Sequence, residues 1–395
     1  MPEIKPEVET FAKIKVIGVG GAGGSSINRM IEHGIQGVEF VAINTDVQAL
    51  HHNKANKKLH IGKSITRGLG AGMNPELGMR SAEESQNEIR EILKDSDMVF
   101  LVCGLGGGTG TGASPVVAEI ARDLGALTVA VVTKPFSFEG NQRRNVADKG
   151  FTELSDKIDT IITISNDKLL QVIDKKTSLL DSFAVADDTL RQGVQGIAEI
   201  ITVPGIINAD FADVKSVMEG AGSALMGIGS ASGDNKAIEA AKTAINSSLL
   251  DMSITGARGV VFTITGGPSL SMNEVNEAAK IITASADEDA KIIFGAVIDQ
   301  NLKDEIKITV VATGFDDTPA LGVKKIENSN TEKKYTPNVF IQEEEKEKEN
   351  FSNKKSKISP LKAAQAEPAH KNNFNPLNED EDELGIPAFI RKKMM

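Results

Sequence analysis

A chain of 395 residues is long enough for two domains of ordinary size, each with its own core. Its net charge of −11 comes from 44 basic and 55 acidic residues, and because the two signs balance from Asp317 onward, the excess sits on the body ending at Asp316. An acidic body without tryptophan, whose single tyrosine is Tyr335, excludes nucleic acid as a general partner, since phosphate neutralisation needs Lys and Arg and base stacking needs aromatic rings. The lone Cys103 excludes an intrachain disulfide and reads as a small buried thiol. No run approaches the ~20 apolar residues of a membrane span, and the acidic Met1–Glu9 is unlike a signal peptide, so a cytoplasmic chain without membrane insertion is expected.

In chain order, Ile14–Val19 reads as a strand, Ser25–His33 as a helix and Val38–Asn44 as a strand. Ser81–Lys94 is amphipathic, and Met98–Cys103, Leu127–Thr133 and Thr160–Ser165 are further apolar strands. Such alternation predicts a Rossmann-like parallel sheet with helices on both faces, whose ligand binds at the carboxyl ends of the strands. Leu179–Ile201 reads as a long helix with Leu180, Phe183, Leu190, Val194, Ile197 and Ile201 at three- and four-residue spacing, closed by Pro204-Gly205. A second α/β domain follows, with helices near Val214–Glu219, Lys236–Leu249 and Asn273–Ala286. Its strands fall near Ser223–Ile228, Gly259–Thr265, Ile292–Ile298 and Ile306–Thr313.

The expected division is an N-terminal extension (1–12), a nucleotide-binding domain (13–178), a central helix (179–202) and a second α/β domain (203–316). Beyond it the charge blocks Glu343–Glu349 and Lys354–Lys357 predict a disordered linker (317–380). The last stretch (381–395) mixes acidic residues, the apolar Leu384, Ile386, Phe389 and Ile390, and a basic end, the pattern of a peptide that folds on a partner.

Gly106-Gly107-Gly108-Thr109-Gly110-Thr111-Gly112 lies between a strand and a helix. Five glycines in seven positions let backbone N–H groups converge on one point, backed by the positive end of the helix dipole, which makes a polyphosphate cradle. It lacks the lysine of GxxxxGK[ST]. Gly18-Val19-Gly20-Gly21-Ala22-Gly23, with Asp46 after the next strand, also satisfies a dinucleotide-binding fingerprint, so an NAD-dependent oxidoreductase is a competing expectation. Two phosphate loops and a third glycine segment, Gly68–Gly72, suit a triphosphate better, with Mg²⁺ as counter-charge in place of the missing lysine. His51, His52 and His60 stand in what reads as a polar basic loop, and no metal site is expected there.

Gly106–Gly112 matches the tubulin-type signature GGGTG[ST]G. With Ile17–Ser25, Asn44-Thr45-Asp46, Gly68–Pro75, Thr133–Phe136, Phe138–Gly140, Asn166–Leu169 and Asn208–Val214, the chain from Ile14 to Phe315 resembles the tubulin/FtsZ family of GTPases, in its bacterial cell-division branch. Gly385–Arg391 is similar to that branch's terminal peptide. The resemblance implies GTP hydrolysis, head-to-tail polymerisation into the filaments of a Z ring at the midcell septum, and membrane-tethering partners docked on 382–393. A tubulin-like scaffold with no division role is the other family reading.

By the same resemblance Gly21, Ala22, Gly23, Gly24, Ser25, Gly108, Thr109 and Gly110 contact phosphates, and Asn44, Ala71 and Gly72 complete the nucleotide-binding set. Glu139 accepts from the ribose and Arg143 reaches a phosphate or the sugar; by spacing alone this pair is a solvated i,i+4 salt bridge. Phe183 stacks on the purine, Asn166 touches the base, and Asp187 or its neighbour Asp188 accepts from guanine N1–H and the 2-amino group. Asn208, Asp210 and Asp213 follow a helix about 33 Å long, too far to reach their own nucleotide, and are assigned to the hydrolytic site of the next subunit.

Overall fold

The structure, a computed structural model, describes residues 12–172, 178–203, 205–247, 253–300 and 302–315. The expected linker and docking peptide, and all but Ala12 of the N-terminal extension, lie outside the described residues.

Strand and helix alternate through β1 (Ile14–Val19), α1 (Gly20–Glu32), β2 (Val38–Asn44), α2 (Val47–His52), β3 (Lys57–His60), α3 (Lys63–Thr66), α4 (Pro75–Glu84) and α5 (Gln86–Leu93). They continue through β4 (Met98–Gly104), α6 (Thr109–Asp123), β5 (Leu127–Lys134), α7 (Asn141–Ser155), β6 (Thr160–Ser165) and α8 (Asn166–Val172). The long α9 (Leu179–Thr202) leads to α10 (Phe211–Met218), β7 (Gly222–Ser232), α11 (Lys236–Ile245), β8 (Gly259–Gly266), α12 (Met272–Thr283), β9 (Lys291–Ile298) and β10 (Glu305–Thr313).

The ten strands among the described residues form one sheet in the order β3-β2-β1-β4-β5-β6-β7-β10-β8-β9. It is parallel from β3 to β6, and β6 meets β7, also parallel, over Thr160↔Gly222 to Ile162↔Ala224. β10 then runs antiparallel between β7 and β8, and β9 returns parallel to β8. The central strands read as unbroken apolar runs because both faces are covered. Val16, Phe100 and Val129 point to a core shared with α1 and α9, while their neighbours Ile17, Leu101 and Ala130 point to a second core under α5, α6 and α7.

α9 crosses from one half of the sheet to the other. Leu190, Val194, Ile197 and Ala198 are buried in one core with Val131 and Ile162 of the first half and Val261 and Val311 of the second. Two glycines inside this helix, each costing about 1 kcal/mol of helix propensity, permit the approach. A Cβ on Gly193 meets Met226 Sδ at 2.8 Å, and one on Gly196 meets Thr309 Cγ2 at 2.7 Å.

Four local expectations are corrected. α1 starts at Gly20, not Ser25, and α6 at Thr109, inside the glycine run expected to precede it, so the glycine runs are largely first helical turns. Gly20 makes the first of these starts possible by adopting φ 75°. The Ser81–Lys94 stretch is two helices that meet at Ser85, and the basic loop around the histidines contains helix α2 and edge strand β3.

Candidate nucleotide-binding site

The N-termini of α1 and α6 converge beyond the carboxyl ends of β1 and β4. They touch: a Cβ on Gly20 meets Gly110 N at 2.8 Å. The first four N–H groups of each helix have no intrahelical acceptor, so two sets of backbone donors and two positive dipole ends face one cleft. The Gly106 N–H turns inward to Thr111 Oγ1 at 2.9 Å, which bends the glycine strand into a cradle. A cavity of about 300 Å³ lies in front of it, walled by the end of β5, the start of α8 and the first turns of α9.

Gly21, Ala22, Gly108, Thr109, Gly110, Glu139, Arg143, Asn166, Phe183 and Asp187 all line this cavity. The remaining expected residues stand behind or beside it. Gly23 is buried where α1 presses on β4, and a Cβ there runs into the Val102 carbonyl. The Gly24 carbonyl accepts from Asn53 Nδ2 at 2.8 Å, and Ser25 is exposed on α1. Asn44 is buried and Ala71 packs on Gly108, where a Cβ meets Ala71 Cβ at 2.8 Å. Gly72 is exposed, with φ 54°. Asn208, Asp210 and Asp213 are exposed beyond the opposite end of α9, a helix of 24 residues and about 36 Å.

The polar groups are held by their neighbours. The Thr109 hydroxyl meets that of Thr45 at 2.6 Å, so one of its hydrogen bonds is spent inside the protein. Glu139 Oε1 accepts from Phe136 N at 2.9 Å, while Oε2 accepts from Arg143. That pair is the i,i+4 salt bridge the spacing announces, and both members face the cleft. Phe183 is 43 % exposed and meets Phe136 edge to face at 5.4 Å, leaving a ring face for a flat ligand.

Asn166 Oδ1 is buried with no hydrogen-bond partner in a residue that lines the cavity, an unsatisfied acceptor that a ligand donor would relieve. Asp187 accepts from Ser26 Oγ at 2.9 Å and Arg29 Nε at 3.1 Å. Burial pushes its carboxyl above the usual aspartate range, and these two partners pull it back. Ser26 and Arg29 were missed in the sequence, where only their i,i+3 spacing behind the glycine run marks them. Asp46, the acidic residue of the dinucleotide fingerprint, instead caps α2 by accepting from Gln48 N and Ala49 N.

The arrangement is that of a nucleotide-binding α/β protein with a two-helix polyphosphate cradle, a platform for a flat base and a carboxylate beside it. Residues 13–174 match the Tubulin/FtsZ family, GTPase domain, and residues 222–316 match the FtsZ family, C-terminal domain. An empty FtsZ dimer from M. jannaschii is 48% identical with a TM-score of 0.75, over 78% of this chain and 89% of that one. A GTPγS-bound protofilament of CetZ2 from Haloferax volcanii is 22% identical with a TM-score of 0.65, over 76% and 92%, a likeness of fold. The chain belongs to the tubulin/FtsZ family of GTPases. The dinucleotide-oxidoreductase reading is thereby set aside.

Proposed function

We propose that this chain is a GTP-hydrolysing cytoskeletal protein that stacks head to tail into filaments, with each active site completed by the adjacent subunit. One observation carries the reading. Among the described residues the carboxylates lining the cavity are Glu139 and Asp187, and both are engaged by neighbouring donors. Asp210 and Asp213 meanwhile stand exposed at the far end of α9, out of reach of that cavity in their own chain.

Phosphates sit on the N-termini of α1 and α6, and the base lies against Phe183 with Asn166 and Asp187 at its polar edge. Guanine offers two donors to a carboxylate where adenine offers none, so Asp187 selects GTP. The cradle brings backbone donors but no lysine, so Mg²⁺ held by phosphate oxygens and water would supply counter-charge. Asn208, Asp210 and Asp213 of the next subunit orient and polarise the attacking water. A head-to-tail contact is heterologous and yields open filaments, so hydrolysis at the joint times their disassembly.

In the cell these filaments form the division ring at midcell, in the cytoplasm, tethered through 382–393 to membrane-associated partners. Among the described residues no helix is long and apolar enough to cross a membrane. GTP turnover measured against protein concentration tests the shared site. A threshold that coincides with the onset of light scattering is expected, and a constant specific rate down to monomer overturns it. Deleting 382–395 separates the division reading from that of a non-division scaffold: the first requires midcell localisation to be lost while polymerisation survives.

A further inference from the structure

The carboxylate of Asp187 is held from behind. Its side chain is 18% exposed and projects from α9 toward α1, where the buried Ser26 and the partly exposed Arg29 reach it one helical turn apart. The Ser26 hydroxyl lies 2.9 Å from Oδ1 and 3.0 Å from the Ala22 carbonyl. It has one proton to give, and an ionised carboxylate is the stronger acceptor. Arg29 Nε lies 3.1 Å from Oδ2. Each carboxylate oxygen therefore has one lone pair engaged by α1, which fixes the plane of the group and leaves the other lone pair on each oxygen free.

We propose that Ser26 and Arg29 are the positioning residues for base specificity: they lock the Asp187 carboxylate in the plane that accepts two parallel donors from guanine. The inference rests on the proposed reading of guanine by Asp187. A purine with two adjacent N–H donors gains both bonds only if the two oxygens are presented together. Inosine, with the ring N–H but no 2-amino group, gains one, and adenine gains neither. Freed to rotate, the carboxylate loses its advantage for the two-donor base while the phosphate cradle, made of other atoms, is untouched. Ser26 and Arg29 touch no ligand in this scheme, and their effect passes entirely through Asp187.

The test is calorimetric titration of the full chain with GDP, IDP and ADP, which needs no turnover. Ser26→Ala and Arg29→Met are each expected to reduce the GDP-over-IDP and GDP-over-ADP preferences by about tenfold, the size of one lost charge-assisted hydrogen bond. Arg29→Lys, which keeps the charge, is expected to recover most of the Arg29→Met loss. A fall in affinity shared equally by all three nucleotides means that α1 merely braces α9, and overturns the proposal. Asp187→Ala separates the two levels. If it leaves the nucleotide preferences intact, the guanine reading itself fails. If it abolishes them while Ser26→Ala and Arg29→Met do not, only the positioning role fails. Ser26→Ala removes one oxygen atom and creates no clash, so it reports even if the Arg29 variants fold poorly.

Discussion

Asp187 and Asp188 are consecutive on α9 and answer to different partners. Turned about 100° apart by the helix, Asp187 faces the cavity and α1, while Asp188 receives Arg191 Nε at 2.6 Å and Gln192 Nε2 at 2.5 Å along its own helix. Burial raises the Asp187 carboxyl. At Asp188 burial acts in the same direction but is outweighed by Arg191 and Gln192, leaving it below the usual range. Asp187→Ala is therefore expected to cost about 1.5–3 kcal/mol of GDP binding, the range for hydrogen bonds to a charged group, measured by calorimetry. Asp188→Ala is expected to leave GDP affinity within about twofold of the parent, since its partners are on its own helix.

The proposed shared site can be tested by complementation. Asp210 caps α10 by accepting from Asp213 N at 2.7 Å, so Asp210→Ala is expected to cost about 1 kcal/mol of stability and to keep GTP binding. Turnover by this variant alone should vanish. Mixed with Asp187→Ala, which keeps its acidic loop, it should regain activity at the joints where that loop overlies a GTP-loaded cleft. A mixture as inactive as its components sinks the two-subunit site.

The two glycines Gly21 and Gly23 should behave oppositely. A Cβ on Gly23 meets the Val102 carbonyl and the Gly18 backbone, so Gly23→Ala forces α1 off the sheet and is expected to destabilise by about 1–3 kcal/mol in denaturant titration. A Cβ on Gly21 meets nothing within 4 Å, and the residue faces the cavity. Gly21→Ala should leave the denaturation midpoint unchanged and weaken nucleotide binding.

Lys307 lines a second cavity of about 470 Å³ between α9 and β10. Burial, with Arg191 close by, pushes its pKa below the ordinary 10.5. The charged lysine is thus disfavoured in the folded state, and below the folded pKa this cost is fully present. As pH rises through that value toward 10.5, the folded protein sheds the proton first, so this residue's contribution to stability increases. Lys307→Met is expected to raise Tm at neutral pH and to flatten the rise of Tm on the alkaline side. An unchanged Tm profile refutes the assignment.

Cys103 is fully buried, and burial pushes its thiol up to about 11. It should resist alkylation at pH 8 in the native protein and react only on unfolding, which makes labelling of this single cysteine a probe of global opening.

Elements whose partners lie on both sides were legible from apolar runs alone. β1, β2, β6 and α9 were placed within a residue of their observed ends. From the sequence the glycine runs read as loops, since glycine has poor helix propensity. Their helical geometry follows from contacts: Gly20 against Gly110, and Gly23 against Val102, distant in sequence. Edge strand β3, Lys57–His60, has one buried residue, Leu59, and no pattern to betray it until β2 pairs with it. Within the cleft, the residues that carry donors or a ring are nameable from motifs, whereas Ser26 and Arg29 contact a residue more than 150 positions away and carry no local mark beyond their i,i+3 spacing.

The sequence by itself determined the parallel α/β half, the long helix, the two glycine-rich segments after β1 and β4 and the family, because these depend on local periodicity and on glycines at fixed spacing. Tertiary structure alone decided that the halves share one sheet through β6 and β7, that Asp187 and not Asp188 enters the cleft, and which glycines face the cavity and which face protein. The reason is geometric. Strand order and side-chain azimuth are set by packing between segments far apart in the chain, and such distances are not written in any single stretch of it.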